Sequence, residues 1–212
     1  SVVELIELYK TSSGGTPSRK KPKYFENGSI NWLKTKELVS ETFILETEEK
    51  ITEDGLNNSS AKIFPAYTTI VAMYGATIGQ VAVTAIPTTT NQACCALLPK
   101  TDIFKYSFAY LYFKHNYEKI IGLGMGAAQQ NISQKVIKKF EMIRPPDEIV
   151  GDFNTIAEPL LEQIRVLQAQ NGKLREARDG LLPRLVSGEV AVSDLDVVWP
   201  LPQSLSNAFV PH

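Results

Sequence analysis

Cysteine, histidine and long apolar runs are what this chain of 212 residues has least of, and each shortage removes a class of function. Its only cysteines, Cys94 and Cys95, are neighbours in an apolar stretch, an arrangement ill suited to a structural disulfide and too few for a metal site. Buried thiols in a reducing compartment follow. Histidine occurs only at His115 and His212, so a Ser–His or Cys–His catalytic pair has almost nothing to be built from. There is no apolar run of about eighteen residues and no N-terminal signal pattern, which reads as a cytoplasmic chain without a membrane span. Charge of one sign is missing too: the net charge of −1 supplies no overall attraction for nucleic acid.

What is present is enough for one well-buried domain, or one domain and an appendage, with 43% hydrophobic residues. The charges are unevenly spread. Residues 1–148 hold 17 Lys and Arg against 15 Asp and Glu, and 149–212 hold 5 against 8, so any basic surface is a local patch of the first part. One such patch is explicit. Thr11 to Ser18 is a loop by composition, with Gly14, Gly15 and Pro17, and it runs into Arg19-Lys20-Lys21-Pro22-Lys23. A glycine-rich turn with open N–H groups beside four positive charges suits phosphate oxygens.

The periodicities indicate an α+β protein. Ser1–Tyr9 is compatible with a strand or a helical turn. Asn27-Gly28 suggests a hairpin or a tight loop into the strand around Ile30–Thr35. Ile51 to Leu56 reads as a helical turn capped by Thr52 and closed by Gly55. Thr68–Tyr74, the turn Gly75–Gly79 and Gln80–Thr84 form a strand–turn–strand with β-branched core positions. Thr88–Gln92 is a polar loop before a buried strand, 93–98, and satisfying loop backbone accounts for Asn91 and Gln92 as well as a ligand does. Tyr106–Ile121 is an amphipathic helix closed by Gly122. Ser133 precedes a short helix over 134–139, and a strand at 140–144 leads to Pro145-Pro146, the domain boundary.

Beyond that boundary, from Asp147 to Gly188, stands a long helix in which Pro159 and Pro183 are kinks or limits. Leu160, Ile164, Leu167, Asn171, Leu174, Arg178, Leu181 and Leu185 recur in alternating steps of four and three, the seam of a coiled coil. Asn171 and Arg178 fall where a polar side chain sacrifices packing to fix alignment and partner number. From Glu158 to Leu182 the helix spans about 37 Å at about 1.5 Å per residue, comparable to one turn of DNA. Residues 189–212 are a tail, docked by Trp199 or loose.

Enzyme signatures are absent. The glycines at 122, 124 and 126 follow a helix, whereas a dinucleotide fingerprint follows a strand. Glu48-Glu49-Lys50 has the carboxylate-x-lysine spacing of some metal nucleases, yet no paired acid stands upstream, and the segment reads as a solvated turn.

Several stretches, taken in order, resemble the target recognition domain of type I restriction-modification specificity subunits. They are Gly15-Thr16-Pro17-Ser18, Ile30 to Thr35, Ile51 to Leu56, Tyr74-Gly75-Ala76-Thr77-Ile78-Gly79, Thr90-Asn91-Gln92-Ala93 and Gln129-Gln130-Asn131-Ile132-Ser133. Glu158-Pro159-Leu160 and Leu181 to Glu189 are similar to that family's helical region. The resemblance covers residues 1 to about 190. It implies a recognition domain over 1–146, a coiled-coil dimerisation helix over 147–188, and a DNA-sequence reader without catalysis of its own. Such a reader takes one half of a bipartite site on double-stranded DNA and binds adenine-methylating modification subunits, which restriction subunits join. S-adenosylmethionine and ATP then belong to those partners, and this chain is assigned no cofactor and no metal.

Family members usually carry two recognition domains and two helical regions, and this chain has one of each. It looks like a half-subunit, natural or truncated, whose second copy pairs antiparallel through Leu160–Leu185. Arg19, Lys20, Lys21, Lys23 and Lys34 suit phosphates. Thr16, Ser18, Tyr74, Thr77, Asn91, Gln92, Gln129, Gln130 and Asn131 have the donors and acceptors that base edges need. The resemblance implies that the Tyr74–Gly79 and Asn91-Gln92 matches, which recur in family members reading different sites, hold the domain's shape rather than choose bases, so Thr16, Arg19 and the 125–131 loop are the preferred contacts. Two other readings compete: the DNA-recognition component of another methyltransferase or phage-exclusion system, and a coiled-coil interaction adaptor that never touches DNA.

Overall fold

β-Branched residues and two left-handed glycines build the middle of the largest sheet. A computed structural model describes residues 1–39, 41–124 and 131–190. The described strands are β1 (Val2–Glu4), β2 (Tyr9–Ser13), β3 (Ile30–Leu33), β4 (Phe43–Ile44), β5 (Glu49–Ile51), β6 (Thr69–Ala72), β7 (Val81–Thr84), β8 (Thr89–Thr90), β9 (Cys94–Pro99) and β10 (Glu141–Ile143). The helices are α1 (Leu5–Leu8), α2 (Glu53–Asn57), α3 (Tyr106–His115), α4 (Tyr117–Gly124), α5 (Gln134–Lys138) and α6 (Asp147–Val186).

The expected strand–turn–strand is β6 and β7, antiparallel, with Thr69 opposite Val83 and Val71 opposite Val81. Between them Gly75 and Gly79 take φ of 70° and 78°, a region that side chains with a Cβ enter only at a cost. The five-stranded sheet has the order β2-β9-β6-β7-β4, and a three-stranded sheet has β5-β3-β8. β4 on β7 and β8 on β3 are parallel; the other pairs, β1 with β10 among them, are antiparallel.

Both faces of the five-stranded sheet are covered, which is why β6 and β7 are buried at every position instead of alternating. On one face Val71, Val83, Cys95 and Leu97 pack with Phe108 and Phe113 of α3 and Ile120 of α4. On the other, Ile70, Ala82, Cys94 and Ala96 pack with Leu33, Leu38 and Phe64. Successive residues of a strand face opposite ways, so Cys94 and Cys95 enter different cores, as free and buried thiols. Burial raises both thiols above their ordinary range, Cys95 to about 12.

Local contacts revise several expectations. Ser1–Tyr9 contains both a strand and a helical turn, β1 followed by α1. Asn27, at φ 57°, turns the chain towards β3, but no hairpin forms there, since β3 pairs with β5 and β8. The loop expected over 88–92 contains β8. Thr88, Thr89 and Thr90 are fully buried, and the Thr89 hydroxyl donates to the Asn31 carbonyl at 2.7 Å. Thr52 caps α2, its Oγ1 accepting the Gly55 N–H at 3.1 Å. Gly55 lies inside that helix, however, because a Cβ there would meet the Tyr24 carbonyl at 2.7 Å. The single helix expected over 106–121 is α3 and α4, broken at Asn116, whose Nδ2 donates to the Tyr112 carbonyl at 2.9 Å. Gly122 sits within α4 rather than closing it.

Neither Pro159 nor Pro183 limits the long helix; both lie within α6. By packing, the chain divides into the units Ser1–Ala169 and Gln170–His212. In the first unit α6 buries Val150, Asn154, Ala157 and Leu161, a stripe in steps of four, three and four. Asn154 anchors it: its Nδ2 donates to the Ile103 carbonyl at 2.8 Å, and its Oδ1 accepts from the Ser107 hydroxyl at 3.3 Å. The seam leucines are separate from that stripe. Leu160, Ile164 and Leu167 are 40–56% exposed. In the second unit, described to residue 190, Leu174, Leu181 and Leu185 are 38–66% exposed, and Asn171 and Arg178 are exposed as well. Trp199 and the rest of 191–212 lie outside the described residues.

Candidate nucleic-acid interface

The end of β2, the end of β6 and the start of β9 meet at one end of the five-stranded sheet, since Ser13 pairs with Cys95 and Ala72 with Cys94. The chain leaves β2 through Gly14 and Gly15, and their role differs from the expected one. A Cβ on Gly14 would stand 1.9 Å from the Thr90 carbonyl oxygen, and one on Gly15 would stand 2.1 Å from Ser60 Oγ. Both residues are buried, and the Gly15 N–H donates to the Thr90 carbonyl at 2.8 Å. The glycines therefore serve close packing, and the Gly15 N–H is not open to a phosphate. Trp32 fixes the same turn by donating its indole N–H to the Gly15 carbonyl at 3.0 Å.

Thr16 emerges from this turn exposed, its hydroxyl donating to Gln92 Oε1 at 2.6 Å. Beside them, the Met73 N–H donates to the Ala93 carbonyl and the Ile132 N–H to the Met73 carbonyl, each at 2.8 Å. Tyr74 forms an antiparallel bridge with Asn131 and is 39% exposed. Thr16, Gln92, Tyr74 and Asn131 thus form a polar rim at one sheet end, all four exposed. Two other candidates are used internally. Asn91 Oδ1 accepts the Ala93 N–H at 3.1 Å, and the Thr77 hydroxyl donates to the Tyr74 carbonyl at 3.2 Å, across the 3₁₀ turn Gly75–Thr77. Ser18 is exposed. Gln129, Gln130 and the rest of 125–130 lie outside the described residues.

The five cations separate by partner. Arg19 lies with its guanidinium 4.1 Å from the Phe25 ring centroid and 5.0 Å from that of Trp32, and its Nη1 is 2.6 Å from Glu49 Oε2. The other oxygen of Glu49 receives Lys34 Nζ at 2.5 Å. Lys34 also reaches Glu48 Oε2 at 3.1 Å, and Lys36 reaches the same oxygen at 2.5 Å. Lys23 pairs with Asp54 at 2.7 Å. Lys21 is exposed and donates to the Tyr24 hydroxyl at 3.1 Å. Lys20 is exposed and, among the described residues, has no ion pair.

Glu49 therefore does not lie in a solvated turn: it begins β5 and is half-buried, whereas Glu48 beside it is exposed. The hydrogen bond from Arg19, and then that from Lys34, holds the Glu49 carboxyl down to about 2. Burial alone would lower Lys34, but its bonds to Glu49 and Glu48 outweigh that and raise it. Local pattern carries no sign of these pairs, because the partners lie on different elements far apart in sequence. Among the described residues no group of three or more His, Cys, Asp or Glu is placed to hold a metal ion, and no helix is long and apolar enough to cross a membrane.

Comparison with known proteins identifies the family and agrees with the fold. The sequence profile described as the type I restriction modification DNA specificity domain matches residues 1–173. The HindI specificity subunit of Haemophilus influenzae is 32% identical over 190 residues, covering 88% of this chain and 40% of that protein. The MjaIX specificity subunit of Methanocaldococcus jannaschii is 28% identical over 198 residues, covering 92% and 45%. Among solved structures, the type I S subunit from M. genitalium superposes with a TM-score of 0.61 at 16% identity, over 87% of this chain and 45% of that one. The S subunit from Thermoanaerobacter tengcongensis gives 0.56 at 14% identity, over 90% and 45%. The chain spans less than half the length of each of these proteins.

Proposed function

Because the chain belongs to the family of type I restriction modification DNA specificity domains, we propose that residues 1–146 read one half of a bipartite site on double-stranded DNA, in the cytoplasm and without catalysis of their own. The observation that carries this reading is the exposed rim of Thr16, Gln92, Tyr74 and Asn131 at one sheet end. Hydroxyl and amide groups beside paired strand ends suit base edges, and the neighbouring Lys20 and Lys21 suit the phosphates that set register. Residues 147–188 pair with a second copy and dock adenine-methylating modification subunits, which restriction subunits join. The open seam from Leu160 to Leu185 supports that assignment.

The test is to co-express the full chain with its modification subunit in a host lacking adenine methylation and to sequence the methylated chromosome by single-molecule methods. One interrupted motif, methylated throughout, is the expected result. A Gln92→Ala variant should relax the motif at one position, at about 1–3 kcal/mol of lost discrimination. Absence of any methylated motif, together with absence of salt-dependent duplex binding, would overturn the reading.

A further inference from the structure

Of the six cations between Arg19 and Lys36, four are held by internal carboxylates: Arg19 and Lys34 by Glu49, Lys34 and Lys36 by Glu48, and Lys23 by Asp54. A carboxylate offers a cation two oxygens in a plane, much as a phosphodiester offers its two unbridged oxygens. Glu49 uses both, one on Arg19 and one on Lys34. The site has a defined shape, because Arg19 is laid against Phe25 and Trp32, and Trp32 is itself fixed to the Gly15 carbonyl, one residue before Thr16 of the rim.

From this arrangement we infer that Glu49, assisted by Glu48, is a specificity-determining residue: an internal stand-in for DNA phosphate that neutralises Arg19, Lys34 and Lys36 until a cognate duplex displaces it. The inference rests on the DNA-reading function proposed above. Non-specific binding is driven by phosphate neutralisation and counterion release. A cation already neutralised within the protein contributes little to that term, because a phosphate must first break the internal pair. On a random sequence nothing offsets that loss. On the cognate sequence the rim at Thr16 and Gln92 adds base contacts, and these drive the exchange. Arg19 keeps its aromatic seat while it changes partner, so the guanidinium needs no new position. The carboxylates thereby lower affinity for the wrong sequences more than for the right one, which widens the ratio between them.

The experiment is fluorescence-anisotropy titration of a random-sequence 30-base-pair duplex with the full chain, at a series of salt concentrations. Wild type, Glu49→Gln and Glu48→Gln are compared, each checked by thermal melt. Glu49→Gln keeps the shape and removes the charge. It should bind the random duplex about tenfold more tightly, with a log–log salt slope steeper by about one to two, one for each cation released. Glu48→Gln, at a more exposed carboxylate, should move both quantities the same way by less. Equal affinity and equal slope in folded variants would overturn the inference and leave the DNA-reading function standing. No binding by wild type and variants alike would overturn both. If Glu49→Gln fails to fold, Glu48→Gln decides alone, because a merely structural role would not change a salt slope.

Discussion

At the scale of single residues, the ion pair between Arg19 and Glu49 ties stability to pH. The folded carboxyl titrates at about 2, below the ordinary 4.5. A group whose value is depressed by folding contributes stability that is complete above the unfolded value and fades as pH falls through the folded one. Wild type should therefore hold an advantage over Glu49→Gln near neutrality that shrinks between about pH 4.5 and pH 2. The measurement is the difference in urea midpoint between the two proteins across that range. Emission from Trp32 in a Trp199→Phe background reports it, because Arg19 lies over that ring. A difference that stays constant with pH would refute the argument. None of this was legible in the sequence, where Glu48-Glu49-Lys50 looks like any charged turn and its partners belong to other segments. Thr52 was legible as a cap because a cap is a local event. Gly14 and Gly15 were recognised as special for the wrong reason, since their neighbours Thr90 and Ser60 are remote in the chain.

At the scale of elements, α6 carries two stripes with different duties. The inner one, Val150, Asn154, Ala157 and Leu161, belongs to the core of the first unit. Asn154→Ala should lower the stability of that unit by about 1–3 kcal/mol, because it strands the Ile103 carbonyl and the Ser107 hydroxyl without their buried partner. Leu167→Ala, at a position 49% exposed, should leave the same unit within about 0.5 kcal/mol of wild type. Urea denaturation of each at nanomolar concentration, where pairing of two chains does not contribute, followed by tryptophan emission, distinguishes the two; equal losses would mean that the stripes are not separable. The repeat of exposed apolar positions on α6 could be read from the sequence, because a period of four and three is a local pattern. Likewise β6, its turn and β7 could be read from β-branched runs flanking two glycines. The break between α3 and α4 was hidden, because the apolar period runs on past Asn116, whose side chain turns back to the Tyr112 carbonyl. β8 was hidden too: three consecutive threonines look like a loop until their hydroxyls find buried acceptors.

For the whole molecule, what could not be read was which strands lie side by side. The parallel pairs β4 with β7 and β3 with β8 join segments separated by other elements, and no periodicity encodes such a choice. The α+β class and the long terminal helix needed only local patterns, and the motifs at Thr16, Tyr74, Gln92 and Asn131 fell at one sheet end. The open seam makes assembly the property to measure. Light scattering at micromolar concentration should give the mass of two chains, and a strictly monomeric mass would count against pairing. Replacing Asn171 and Arg178 together by leucine should preserve association while changing its stoichiometry or alignment, as removal of polar seam residues does in coiled coils.

Cys94 and Cys95 make the direction of that pairing easy to determine. Each is sealed in a different core, with its thiol driven away from the reactive thiolate form. The native protein should consequently be silent towards mild oxidants and maleimides, so that a cysteine introduced on the seam is the one that answers. Leu160→Cys should cross-link with itself if two helices run side by side in the same sense. If they run in opposite senses, it should cross-link only when mixed with Leu185→Cys.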